Sequence, residues 1–102
     1  MAKSIHRPEY AVLTALLRQA REQSGMHQTE AAAALGRSQS FLSDVERGAR
    51  RLDIIELWDL CEILGLDFPS LATRVDEEIR KLNSSRAAKR RGAQPKRAAP
   101  KR

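Results

Sequence analysis

The sequence is poor in the residues that staple, stiffen or bridge a small protein. Cysteine occurs once, at Cys61, which excludes an internal disulfide and any paired-cysteine metal framework. Aromatics number four: Tyr10, Phe41, Trp58 and Phe68. With so few rings and so little β-branched sequence, a sheet-built core is not expected. No apolar run reaches the roughly 20 residues that cross a bilayer, and the stretch from Met1 to Pro8 lacks the apolar segment of a signal peptide. The expectation is a soluble protein of a reducing cytoplasm, associated with the nucleoid and not with membrane. His6, His27 and Cys61 are too scattered to build a metal or nucleophile site, so neither a cofactor nor an enzymatic activity is expected.

Acidic residues are missing from one end. None follows Glu78, whereas Arg86 to Arg102 holds eight of the 19 basic residues. The formal net charge of +6 therefore belongs to the C-terminal segment: residues 1–85 carry 11 basic against 13 acidic residues, a net of −2. Affinity for a polyanion must come from a local surface. Arg37, Arg47, Arg50 and Arg51 fall in a stretch whose only acids are Asp44 and Glu46, while Asp53 to Glu78 has eight acids and only Arg74. One face is thus suited to phosphates and another repels them.

What is abundant is alanine and leucine at helical spacing. Tyr10, Leu13, Leu17 and Ala20 mark the buried side of a first helix from Pro8 to about Ser24, ended by Gly25. The alanines 31–34 favour a short second helix, Gln28 to Leu35, stopped by Gly36. Ser38 is placed to cap a third, Gln39 to Arg47, buried through Leu42 and Val45 and closed by Gly48. Asp53 and Glu56 form a capping-box pattern for a fourth, with Ile54, Leu57, Cys61 and Leu64 inward and Gly65 as its stop. Asp67 caps a fifth, lined by Phe68, Leu71, Val75, Ile79 and Leu82. From Asn83 the apolar periodicity ends. The expectation is an all-α, five-helix domain over residues 1–83 and a disordered basic tail over 84–102.

Two short helices joined by Gly36-Arg37-Ser38 form the informative unit. Such spacing lets the first helix cross a DNA backbone while the second lies in the major groove. The second presents Gln39, Ser40, Ser43 and Asp44, all short and polar, opposite Leu42 and Val45. Phe41 stays open between packing on helix 2 and touching a thymine methyl.

Here the chain resembles the Cro/repressor-type (XRE) helix-turn-helix family. The resemblance rests on Leu16-Leu17-Arg18-Gln19-Ala20-Arg21, Gly25-Met26-His27-Gln28, Leu35-Gly36-Arg37-Ser38, Leu42-Ser43, Val45-Glu46-Arg47-Gly48 and Leu64-Gly65-Leu66-Asp67, and it covers about residues 13–72. It implies a phage-repressor-like fold and double-stranded DNA as partner. Gln39, Ser40, Ser43 and Asp44 would read bases. Gln28, Arg37, Ser38, Arg47, Arg50 and Arg51 would hold phosphates, and Arg21 with Glu46 would form a structural ion pair. The chain departs from the family in having only Ala31 to Ala34 inside helix 2 and His27 at its cap. The implied function is a transcriptional repressor acting as a homodimer on an inverted repeat, with helix 5 extending the dimer contact. The alternatives are the antitoxin of a toxin-antitoxin operon, with a toxin as second partner, and a protein-interaction adaptor that does not bind DNA.

Overall fold

In the computed structural model the described residues are 7–91, and they contain five α-helices. These are α1 (Pro8–Gln23), α2 (Gln28–Leu35), α3 (Gln39–Glu46), α4 (Ile54–Leu64) and α5 (Phe68–Arg91). No helix among the described residues is long and apolar enough to cross a membrane. The core is aliphatic and small: Leu17 of α1, Ala31 and Ala32 of α2, Leu42 and Val45 of α3, Leu60, Cys61 and Leu64 of α4, and Leu71 of α5. Burial of Cys61 pushes its thiol above the ordinary range, as expected of a side chain that only packs.

The boundaries follow local chemistry. Ser38 Oγ accepts from the Phe41 amide at 3.1 Å and starts α3. The α4 box is complete: Asp53 Oδ1 accepts from the Glu56 amide at 2.7 Å, and Glu56 Oε1 accepts from the Asp53 amide at 2.9 Å. Asp67 Oδ2 accepts from the Ser70 amide at 3.2 Å at the head of α5. At α2 the Glu30 carboxylate accepts from the His27 amide at 2.8 Å, so the helix is capped without a small polar residue before Gln28. Gly36 adopts φ +75°, and that left-handed step lets the Arg37 amide reach the Ala32 carbonyl at 2.9 Å. A side chain there would be strained, which is why this tight turn carries glycine.

The small residues of α2 define how the site is built. Ala31 and Ala32 are fully buried, so the middle of α2 lies close against both α3 and α4, while Leu35 at its end packs against the core.

Two sequence expectations change, and one buried polar residue was not among them. Ile54 does not line the core; it is 66% exposed, and Leu60 takes the inward place beside Cys61 and Leu64. The first turn of α4 projects beyond the small core, so its apolar residues find nothing to cover them. Thr14 is buried on α1, its hydroxyl satisfied by donating to the Ala11 carbonyl at 3.2 Å. Finally, α5 continues past Asn83 to Arg91. Alanine and arginine are strong helix formers and need no apolar face to extend an existing helix. The remainder of the expected tail, 92–102, lies outside the described residues.

Candidate nucleic-acid interface

Burial of Leu42 and Val45 orients α3. At 100° per residue, Ser40 and Asp44 lie opposite the core, Gln39 and Ser43 on the side toward the start of α2, and Phe41 on the side toward the α3–α4 loop. Gln39 and Ser40 are exposed, and Ser43 and Asp44 half-buried. Asp44 is tied to Arg47 by a short ion pair at the end of the helix. The four expected base-reading residues therefore share one outward surface, its far end neutralised within itself.

The flank toward α2 is a continuous hydrogen-bonded chain. Arg21 of α1 grips Glu46 of α3 through two bonds, Nε to Oε2 at 2.6 Å and Nη2 to Oε1 at 3.1 Å. Its Nη1 donates to the Met26 carbonyl at 2.8 Å. The pair is nearly shut from water, with 11% of the Arg21 side chain and 5% of the Glu46 side chain exposed. The bond to Glu46 raises the basicity of the guanidinium despite burial. Glu46 Oε1 also accepts from Gln28 Nε2 at 2.9 Å, and Gln28 Oε1 accepts from Gln39 Nε2 at 3.2 Å. Charge buried between α1 and α3 thereby orients the first outward side chain of α3. The expected structural role of Arg21 and Glu46 has its geometry here. Gln28 is more enclosed than a surface phosphate ligand would be, since it is half-buried with both ends of its amide engaged.

On the opposite flank, cations gather on aromatic rings. Arg37 and Arg50 lie over Phe41, 3.8 and 4.8 Å from its centroid, and Arg51 lies 4.9 Å from that of Tyr10. Arg37 Nη1 and Arg50 Nη2 both reach Glu56 Oε2, at 3.3 and 3.0 Å. The Asp53 amide first, and then Arg37 and Arg50, hold the Glu56 carboxyl below the usual carboxylate value. The Tyr10 hydroxyl fixes the loop from α1: it donates to the Arg50 carbonyl at 3.3 Å and accepts from the Leu52 amide at 3.2 Å. Arg47 is exposed, and Ser38 is already committed to its cap.

Three contributors were not legible as such in the sequence. Glu56 read only as a capping residue, because its second partners, Arg37 and Arg50, lie 19 and six positions away. The hydroxyl of Tyr10 works across 40 residues, beyond any local pattern. Phe41 packs against the core and also serves as a platform for cations, a role for which the nearby arginines were the available signal.

The profile of the helix-turn-helix family matches residues 17–71. An uncharacterized HTH-type transcriptional regulator of Sinorhizobium fredii, y4dJ, is 40% identical over 57 residues, covering 56% of this chain and 74% of that protein. The solved structure of an XRE-family-like protein from Pseudomonas syringae pv. tomato superposes with a TM-score of 0.68 at 43% identity, over 74% of this chain and 93% of the other. A mutant of the restriction-modification controller protein C.Esp1396I shares the fold, with a TM-score of 0.66 at 23% identity over 74% of this chain and 95% of its own. With its α2–turn–α3 unit inside the matched region, this chain belongs to the XRE-type helix-turn-helix family of DNA-binding transcriptional regulators.

Proposed function

We propose that the protein is a sequence-specific repressor that places α3 in the major groove of an operator and acts as a homodimer on an inverted repeat. The observation that carries this reading is the outward surface of α3, where exposed Gln39 and Ser40 stand between a hydrogen-bonded flank and a cationic one. Gln39, Ser40, Ser43 and Asp44 meet base edges. Arg37, Arg47, Arg50 and Arg51 meet phosphates, while Gln28 and Ser38 hold the start of α3 through their own hydrogen bonds. Repression follows from occupancy of a promoter, an action by binding and not by catalysis, in the cytoplasm.

The test begins by selecting bound sequences from a random duplex pool. Gln39→Ala should then cost about 1–3 kcal/mol on the selected site and little on a scrambled duplex, because a glutamine bonding an adenine edge contributes only where that adenine stands. Arg47→Ala should weaken both and make the salt dependence shallower by roughly 0.9 in log–log slope for one phosphate contact. Equal losses on both duplexes for Gln39→Ala would remove α3 from the groove.

The second copy is assigned to the face that folding leaves uncovered. The apolar side of α5 is partly covered: Val75 packs against the core, and Val75 and Ile79 line a cleft with Tyr10 and Leu13 of α1. Among the described residues the large apolar side chains left exposed are Ile54, Ile55 and Trp58, which are 66%, 65% and 47% exposed along the first turns of α4. They directly follow the Arg50–Arg51 loop beside α3. The α2–α3 unit occurs once among the described residues, so reading two half-sites takes a second copy. A dimer needs about 800 Å² from each partner, and these three side chains supply the apolar centre of such a contact. Half-sites would lie about 10 base pairs apart, or a multiple of that. Light scattering should find a dimer for the wild type and a monomer for Trp58→Glu. A monomeric wild type on a single unrepeated site overturns the dimer, and a different protein co-purifying on this face identifies the antitoxin instead.

A further inference from the structure

One carboxylate organises the cationic flank of α3. Arg37 comes from the turn before α3 and Arg50 from the loop after it, yet both converge on Glu56 Oε2 and both lie over the ring of Phe41. Arg50 is fixed a third time, its Nη1 donating to the Arg51 carbonyl at 2.6 Å. Each guanidinium carries five N–H donors in a rigid fork, so Glu56 sets the position of both without exhausting either.

We propose that Glu56 is a specificity-determining residue: by holding Arg37 and Arg50 at set places over Phe41, it confines their phosphate contacts to the register in which α3 is correctly seated in the groove. This rests on the reading above that the two arginines meet phosphates.

A free arginine on its long stem follows the backbone of any sequence, and such contacts supply the sequence-neutral part of binding. Arginines already immobilised behave differently. In the correct register they lose little further conformational freedom, whereas in any other register they must leave Glu56 to reach a phosphate. The negative charge beside them also reduces their pull on distant phosphates. Both effects weigh on random DNA more than on the operator.

Glu56→Gln tests this cleanly, because the amide keeps an oxygen for the Asp53 N–H and so preserves the α4 cap while removing the charge. Dissociation constants would be measured on the selected site and on a scrambled duplex of equal length at several salt concentrations. Binding to scrambled DNA should tighten about fivefold, the upper size of one exposed ion pair, and its salt slope should steepen by about 0.9 for each phosphate gained. The selected site should change less than about twofold by the same measure, so the ratio between the two falls. In an Arg37→Ala background the same replacement should move the ratio less. Glu77→Gln, an equal change of charge on the exposed side of α5, should leave the ratio alone. An unchanged ratio in Glu56→Gln, or an equal fall in Glu77→Gln, overturns the role of Glu56. A wild type with no preference for its selected site overturns the repressor reading itself.

Discussion

Glu46→Ala should lower stability by about 3 kcal/mol, toward the lower end of the roughly 3–5 kcal/mol range for breaking a buried ion pair. The range applies because Arg21 would be left nearly enclosed without its anion. For a domain of this size that corresponds to a fall in Tm of on the order of 10–20 °C, read by circular dichroism. The comparison is Arg18→Ala, which removes an exposed pair with Glu22 and should cost less than about 1 kcal/mol. Equal shifts in the two variants would show that Arg21 and Glu46 form an ordinary surface pair. The buried pair has a second consequence. Glu46 also receives Gln28, which in turn receives Gln39, so a variant assayed well below its melting temperature should still lose orientation of the first residue of α3.

Leu42→Ala should cost about 2–5 kcal/mol in urea unfolding, the range for leucine truncations that leave a cavity. Leu42 is among the few large side chains that are fully buried, and the residues around it have little capacity to close the gap. Ala31 and Ala32 of α2 have no side chain to extend into it, and Leu17, Val45 and Leu60 are themselves fully enclosed. Its neighbour Ser43 lies on the outward half of α3 and should tolerate Ser43→Ala within about 0.5 kcal/mol. The two variants invert in their effects: the first acts on folding, the second only on DNA. A loss of under about 1 kcal/mol for Leu42→Ala would mean that α3 is not seated by its apolar side, and every assignment of its outward residues would fall with it.

The alanines of α2 show how a departure from the family pattern is absorbed. Apart from Leu35 at its end, α2 has no large apolar residue to bury, and its burial comes from proximity: Ala31 and Ala32 each contribute only a Cβ, so α2 approaches α3 and α4 closely. Close approach brings the start of α2 near α3, within hydrogen-bond reach for Gln28 and Gln39.

Sequence alone determined the five helices and their punctuation, except for the end of α5. The start of α3 at Ser38, of α4 at Asp53 and of α5 at Asp67, and the left-handed stops at Gly36 and Gly65, depend on contacts within a few residues, so a local pattern specifies them. The partition of α3 into a buried and an outward side was legible for the same reason, since Leu42 and Val45 fix a helix with a known turn. Tertiary structure decided what long side chains do and which apolar residues remain uncovered. Ile54 fits the inward periodicity of α4 but lies outside because the core ends before the helix does. Glu56 meets its cap through a contact three residues away and its arginines only once the α2–α3 turn and the α3–α4 loop have been brought together. Such partners are chosen by how helices pack, and helical periodicity holds no record of that choice.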